Sequence, residues 1–175
     1  MFDQPRIFLS SVTNGLSWYR DELREILTAN GMAPVEMTSW ATPGREVSSL
    51  VRSEIDRCHG VICLVGKSHG MPSGDRIPLS EDRFFSYTQL EWLHAFQQVS
   101  DGKPMLTLFV KDKAMKDYKE EQAELLKCQA DWIVAIKEQL RVPGTRAGHA
   151  SFESEYEFAK ILAKMPWKDW LNGNV

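Results

Sequence analysis

The chain has 175 residues, 43% of them hydrophobic and 26% charged, and a net charge of −3 at pH 7; such totals describe one globular domain with a core of its own. The acidic balance argues against a nucleic-acid surface, which shows as a basic excess, and no apolar run approaches the roughly 20 residues of a membrane span. Cys58, Cys63 and Cys128 are odd in number and lack metal-ligand spacing, and Met1–Arg6 shows no signal-peptide pattern, so a cytoplasmic protein with reduced thiols is expected.

Arg6 to Val12 reads as a short, mostly apolar strand that breaks at Thr13-Asn14-Gly15, a turn signal. A helix follows from Ser17 to Ala29, with Leu16, Tyr19, Leu23, Ile26 and Leu27 at helical spacing, stopped by Asn30-Gly31. Met32 to Met37 is a second strand, and Pro34 places it at a sheet edge. After a loop containing Trp40, residues Arg45 to Cys58 form a helix with Val47, Leu50, Val51, Ile55 and Cys58 on one face. Gly60 to Gly66 is an unbroken apolar run, the mark of a central strand buried on both faces.

Lys67 to Phe85, rich in Gly, Pro, Ser and charge, reads as a long loop. Ser86 then caps a helix: Gln89 at its third position completes a capping box. That helix ends near Ser100-Asp101-Gly102, and Lys103 to Val110 is a fourth strand. Lys111 to Arg141 reads as helical, with equal numbers of basic and acidic residues on a solvated face and Leu125, Leu126, Trp132, Ile133, Ile136 and Leu140 on the packed side. A short strand near Ala147–Ala150 and a last helix from Ser151 complete the chain, with Trp167, Trp170 and Leu171 in its tail.

Alternating strands and helices define a parallel sheet covered on both faces. With strand order 2-1-3-4, ligands bind beyond the carboxyl ends of the first and third strands, where the order reverses. The loops there are Ser10–Asn14 and Gly66–Gly70, and the helix carrying Glu91 starts after the second. Gly66-Lys67-Ser68 is not a phosphate-binding loop of the Walker type: that motif has four residues between its glycines, whereas Gly60 and Gly66 enclose five. His59, His69, His94 and His149 have no ligand spacing, so no metal site is expected. His69 falls in the ligand-facing loop, and His94 is placed to hydrogen-bond Glu91.

Ser10 and Ser11 are either a polar strand end or the hydroxyls that hold a phosphate or ribose beside a helix N-terminus. Arg20 sits where the helix dipole disfavours a cation; a bound anion would account for it, and so would a pair with Asp21 or Glu22. Trp40 either stacks on a base or folds onto the domain. Glu91 has apolar neighbours, with Tyr87 and Thr88 one turn before it. It is either a solvated helix glutamate or a carboxylate that acts on a ribose as an N-glycosidic bond breaks, by steadying the oxocarbenium-like charge, holding the hydroxyls or serving as nucleophile.

Phe8–Ser11 followed by Arg20, then Ser53–Cys58, Gly60–Gly70, Ser86–Trp92 and Gly102–Leu106, together resemble the DUF4062 family, a TIR-like branch distantly related to nucleoside 2-deoxyribosyltransferases. The resemblance spans Arg6 to about Val110, and Phe152–Leu162 fits the family's last helix. It implies a flavodoxin-like or TIR-like three-layer α/β sandwich with a parallel sheet of four or five strands. The chain is then one such domain, with a core over 6–110 and a C-terminal helical extension over 111–175. It also implies a catalytic glutamate, which Glu91 matches in an E-x-x-x-A setting with Ala95.

TIR enzymes cleave NAD at the nicotinamide–ribose bond, often in immunity, and are active when assembled. On that model Ser10, Ser11, Arg20, Trp40, Gly66, His69, Ser86 and Tyr87 bind the substrate. NAD is then substrate, and no metal or redox cofactor is needed. The expected partners are further copies of the chain, held through surface helices, and additional domains in a longer protein. Two departures bear on the ligand: Asn14 stands near the family's usual acid, and Gly66-Lys67-Ser68-His69-Gly70 replaces a G-x-R-Y-G loop. The competing expectations are a non-catalytic self-association domain and a nucleotide sensor that does not cleave.

Overall fold

The computed structural model describes residues 4–37, 45–76, 84–142 and 146–173; the side chains of 45–48, 73–76 and 84 lie outside that set. Its elements are β1 (Arg6–Ser11), α1 (Ser17–Ala29), β2 (Ala33–Glu36), α2 (Arg45–Arg57), β3 (Gly60–Val65), β4 (Pro72–Arg76), β5 (Phe84–Ser86), α3 (Tyr87–Gln97), β6 (Met105–Val110), α4 (Ala123–Leu140), β7 (Gly148–Phe152), α5 (Glu155–Leu162) and α6 (Trp167–Leu171). Five strands form one sheet in the order β2-β1-β3-β6-β7, and every pairing in it is parallel. This is the flavodoxin-like order, and β2 is the edge strand that Pro34 announced.

Period-two alternation divides the core between the two faces of the sheet. Ile7, Leu9, Ile62, Leu64 and Leu108 pack against α1, α5 and α6, through Tyr19, Leu23, Phe158 and Trp170 among others. Phe8, Val61, Cys63, Val65 and Phe109 pack against α2, α3 and α4, through Ile55, Trp92 and Ile136. All six residues of β3 are buried, as their unbroken apolar run requires. Leu50, expected on the packed face of α2, is instead 43% exposed.

Three stretches differ from the sequence reading. The loop expected over Lys67–Phe85 contains an antiparallel hairpin of β4 and β5, in which Pro72 pairs with Ser86. The helix expected from Lys111 begins only at Ala123. Before it the chain is tied to the loop after β1: the Asn14 side-chain amide donates to Lys119 O and accepts from Lys119 N, both at 2.7 Å. Asp117 adopts a left-handed conformation, φ 52°, which interrupts a helix. The strand near Ala147–Ala150 exists but runs on to Phe152, so the last long helix starts at Glu155 rather than Ser151. Residues 111–173 are therefore more than a helical extension, since they supply the fifth strand. No helix among the described residues is long and apolar enough to cross a membrane.

Candidate active site

Ser86 ends β5 and caps α3. Its hydroxyl accepts from Gln89 N at 3.3 Å, and Gln89 Oε1 accepts from Ser86 N at 3.1 Å, the capping box read from the sequence. The same glutamine donates through Nε2 to Gln129 Oε1 at 2.8 Å, and Gln129 Nε2 donates to Gly66 O at 2.8 Å. A buried amide relay thus joins the start of α3, the middle of α4 and the carboxyl end of β3. Trp92 fixes the next turn: its ring stacks on Phe96 at 4.7 Å and its Nε1 donates to Thr107 Oγ1 at 3.0 Å. Packing on both sides of Glu91 therefore sets its position on α3.

Glu91 is 8% exposed, and Ser10 Oγ donates to its Oε2. Ser10 lies opposite Cys63 in the β1–β3 register. The two side chains share the sheet face under α3, at the point where the strand order reverses. Among the described residues no cation pairs with Glu91. Burial pushes its carboxyl up to about 7, against the pull of the Ser10 hydroxyl. Burial, with the Glu91 charge beside it, also raises the Cys63 thiol, which leaves Cys63 a neutral neighbour rather than a nucleophile. One small cavity, ≈ 10 Å³, touches Glu91 and is otherwise lined by Val51 and Arg52 of α2 and Tyr87 and Leu90 of α3. That is room for about one water molecule.

The other residues named from the sequence fall in different places. Tyr87 lines the cavity beside Glu91. Ser11 faces the opposite side of the sheet from Ser10, by strand alternation, and its hydroxyl donates to Val12 O at 2.7 Å. Arg20 is on α1, with Nε 3.8 Å from Glu36 Oε2 and no hydrogen bond from that nitrogen; Asp21 pairs with Arg24 instead. Gly66 closes β3 and receives the Gln129 bond. Ser86 spends its hydroxyl on the cap. His69 is fully buried, and its backbone N–H donates to Glu121 Oε2 at 3.1 Å, as Gly70 N–H does to Oε1 at 3.0 Å. His94 does not reach Glu91; its Nε2 lies 2.8 Å from Asp56 Oδ1. Trp40 lies outside the described residues.

Four contributors were not singled out in the sequence. Cys63 had a signal, its alternation with Val61 and Val65 on one face of a buried strand. Gln129, Glu121 and Arg52 had none, because their roles come from how α4, the segment before it and α2 dock. Among the described residues no cluster of His, Cys, Asp or Glu is arranged to hold a metal ion.

Fold and site together define a parallel α/β domain with a buried carboxylate at the switch point of its sheet. A family model described as "Domain of unknown function (DUF4062)" matches residues 6–165, and the chain belongs to that family. Comparison with curated proteins gives no match. Among solved structures, the chain is similar to the Clostridium botulinum CMP N-glycosidase BcmB, with a TM-score of 0.45 and 15% identity over 90% of this chain and 97% of that one.

Proposed function

We propose that this domain is a nucleotide N-glycosidase of TIR-like character, with NAD as its substrate and Glu91 as its catalytic carboxylate. The observation that carries the reading is the buried Ser10–Glu91 pair at the carboxyl end of β1, where burial pushes the carboxyl up to about 7. A solvated helix glutamate would have neither the burial nor the raised pKa. In the ionised form, Glu91 stabilises the positive charge that builds on the ribose C1′ as the glycosidic bond lengthens. The bonding pair leaves with the nicotinamide ring, which departs neutral. Water adds to C1′ and gives up a proton, so the products are nicotinamide, ADP-ribose and one proton. Ser10 occupies one carboxylate oxygen and leaves Oε1 to the substrate, which makes Ser10 a positioning residue.

Arg52, beside the small cavity, is the nearest lining cation for a substrate phosphate. Self-association through surface helices and a role in an immune or stress response belong to the same reading. The competing reading is a domain that binds other copies of itself, or senses a nucleotide, without cleaving anything; the room for about one water at Glu91 favours self-association over a nucleotide held there.

The test is turnover of a panel of nucleotides, NAD and CMP among them, by concentrated protein, with wild type beside Glu91→Gln and products separated by chromatography. Free base released by the wild type and lost at least a hundredfold in Glu91→Gln supports the glycosidase. Absence of turnover at every concentration, together with thermal stabilisation by an unconsumed nucleotide, supports the sensor.

A further inference from the structure

A second concavity opens at the carboxyl ends of β3, β6 and β7, displaced along the sheet from Ser10. Its volume is ≈ 460 Å³, within the roughly 300–1,000 Å³ of small-molecule sites. Phe109 and Ile133 give it apolar walls, and Lys67, Lys111, Lys113 and Lys137 line it against one lining acid, Asp112. Lys111 and Lys113 both converge on Glu153. Those two cations push the Glu153 carboxyl down to about 2, so it stays charged across the physiological range.

Lys67 and Lys137 are different. Lys67 Nζ lies 3.9 Å from the centroid of the Tyr118 ring, and Lys137 Nζ lies 4.8 Å from that of Phe109. Among the described residues neither has a carboxylate partner. Counted with Asp112 and Glu153, the four lysines leave an excess of two positive charges among these described residues. Cations around a concave, partly apolar site focus potential on a small anion, and the carboxyl ends of parallel strands are where this sheet type takes ligands.

We propose that this cavity binds a phosphorylated small molecule, with Lys67 and Lys137 holding the phosphate and Phe109 and Ile133 the apolar or ring portion. It is a site additional to Glu91, and it stands whether or not Glu91 is catalytic.

The experiment is titration calorimetry of the intact chain with inorganic pyrophosphate, AMP and adenosine. The expected result is saturable one-to-one binding of pyrophosphate and AMP, with adenosine at least tenfold weaker. Lys67→Gln with Lys137→Gln should weaken pyrophosphate at least tenfold, while Lys137→Arg keeps binding within about threefold. The double variant Lys164→Gln with Lys168→Gln removes the same charge from an exposed surface and should leave binding unchanged. Glu91→Gln should also bind pyrophosphate as wild type does, which separates failure of this site from failure of the glycosidase. Non-saturable binding, or equal losses in the two charge-matched double variants, would overturn the proposal.

Discussion

At Glu91 two opposing effects are unequal. Removal from water penalises the charged form, the Ser10 hydroxyl favours it, and burial wins, leaving the carboxyl at about 7 against an ordinary 4.5. Between those two values the folded protein holds more protons than the unfolded chain, so stability falls as pH rises from about 4.5 to about 7 and is level above. Glu91→Gln keeps the shape and can accept from Ser10 without the charge. Above pH 7 the variant should therefore be more stable than wild type, by an amount on the order of 3 kcal/mol, and the advantage should shrink towards pH 4.5. Urea unfolding at pH 5, 6, 7 and 8 measures this directly; an equal difference at every pH would show that Glu91 does not titrate in this range. Ser10→Ala removes the hydroxyl bond that favours the carboxylate. Its pH–rate limb should move to higher pH than that of wild type, whereas a purely structural Ser10 would change the rate and leave the limb in place.

At the scale of elements, local signals were legible where local chemistry decides the outcome. The α1 periodicity, the Ser86–Gln89 cap of α3 and the apolar run of β3 were read with nearly their observed bounds, because each rests on contacts within a few residues. The stretch before α4 was not. Its charged residues are good helix formers, but Asn14 binds both backbone groups of Lys119 across 105 positions of sequence, and no local pattern encodes that. Gly15, at φ +77°, lets this happen, since side chains with a Cβ are strained in that left-handed conformation. Asn14→Asp would lose the donor to Lys119 O while keeping the acceptor, and should cost about 1 kcal/mol in chemical denaturation. At the candidate site, Glu91 and Ser10 were legible from their place at the switch point. Their partnership to the exclusion of Ser11 follows from strand alternation, and the small cavity beside Glu91 lies where α2 meets α3.

For the whole molecule, the sheet order was read correctly for its first four strands, and β7 extends it. Phe152, at the end of β7, is fully buried, with its ring 4.9 Å from that of Phe158, which in turn meets Tyr19 of α1 at 5.0 Å. The chain beyond Val110 is thereby built into the core that β1 and β3 share. Phe152→Ala should cost about 3–5 kcal/mol and lower the single unfolding transition as a whole. Two transitions in wild type, only one of them moved by the substitution, would instead mark an independent C-terminal unit.

On the proposed reading, Glu91, whose carboxyl burial at the switch point pushes up to about 7, is the carboxylate that stabilises the breaking glycosidic bond. The most direct test is the rate of nicotinamide release from NAD between pH 5 and 9 by concentrated wild-type protein and by Glu91→Gln. The predicted result is a wild-type rate that climbs through an apparent pKa near 7 as Glu91 ionises, with the variant at background throughout. Turnover in Glu91→Gln equal to wild type, or a wild-type profile already level above pH 5, would contradict the account.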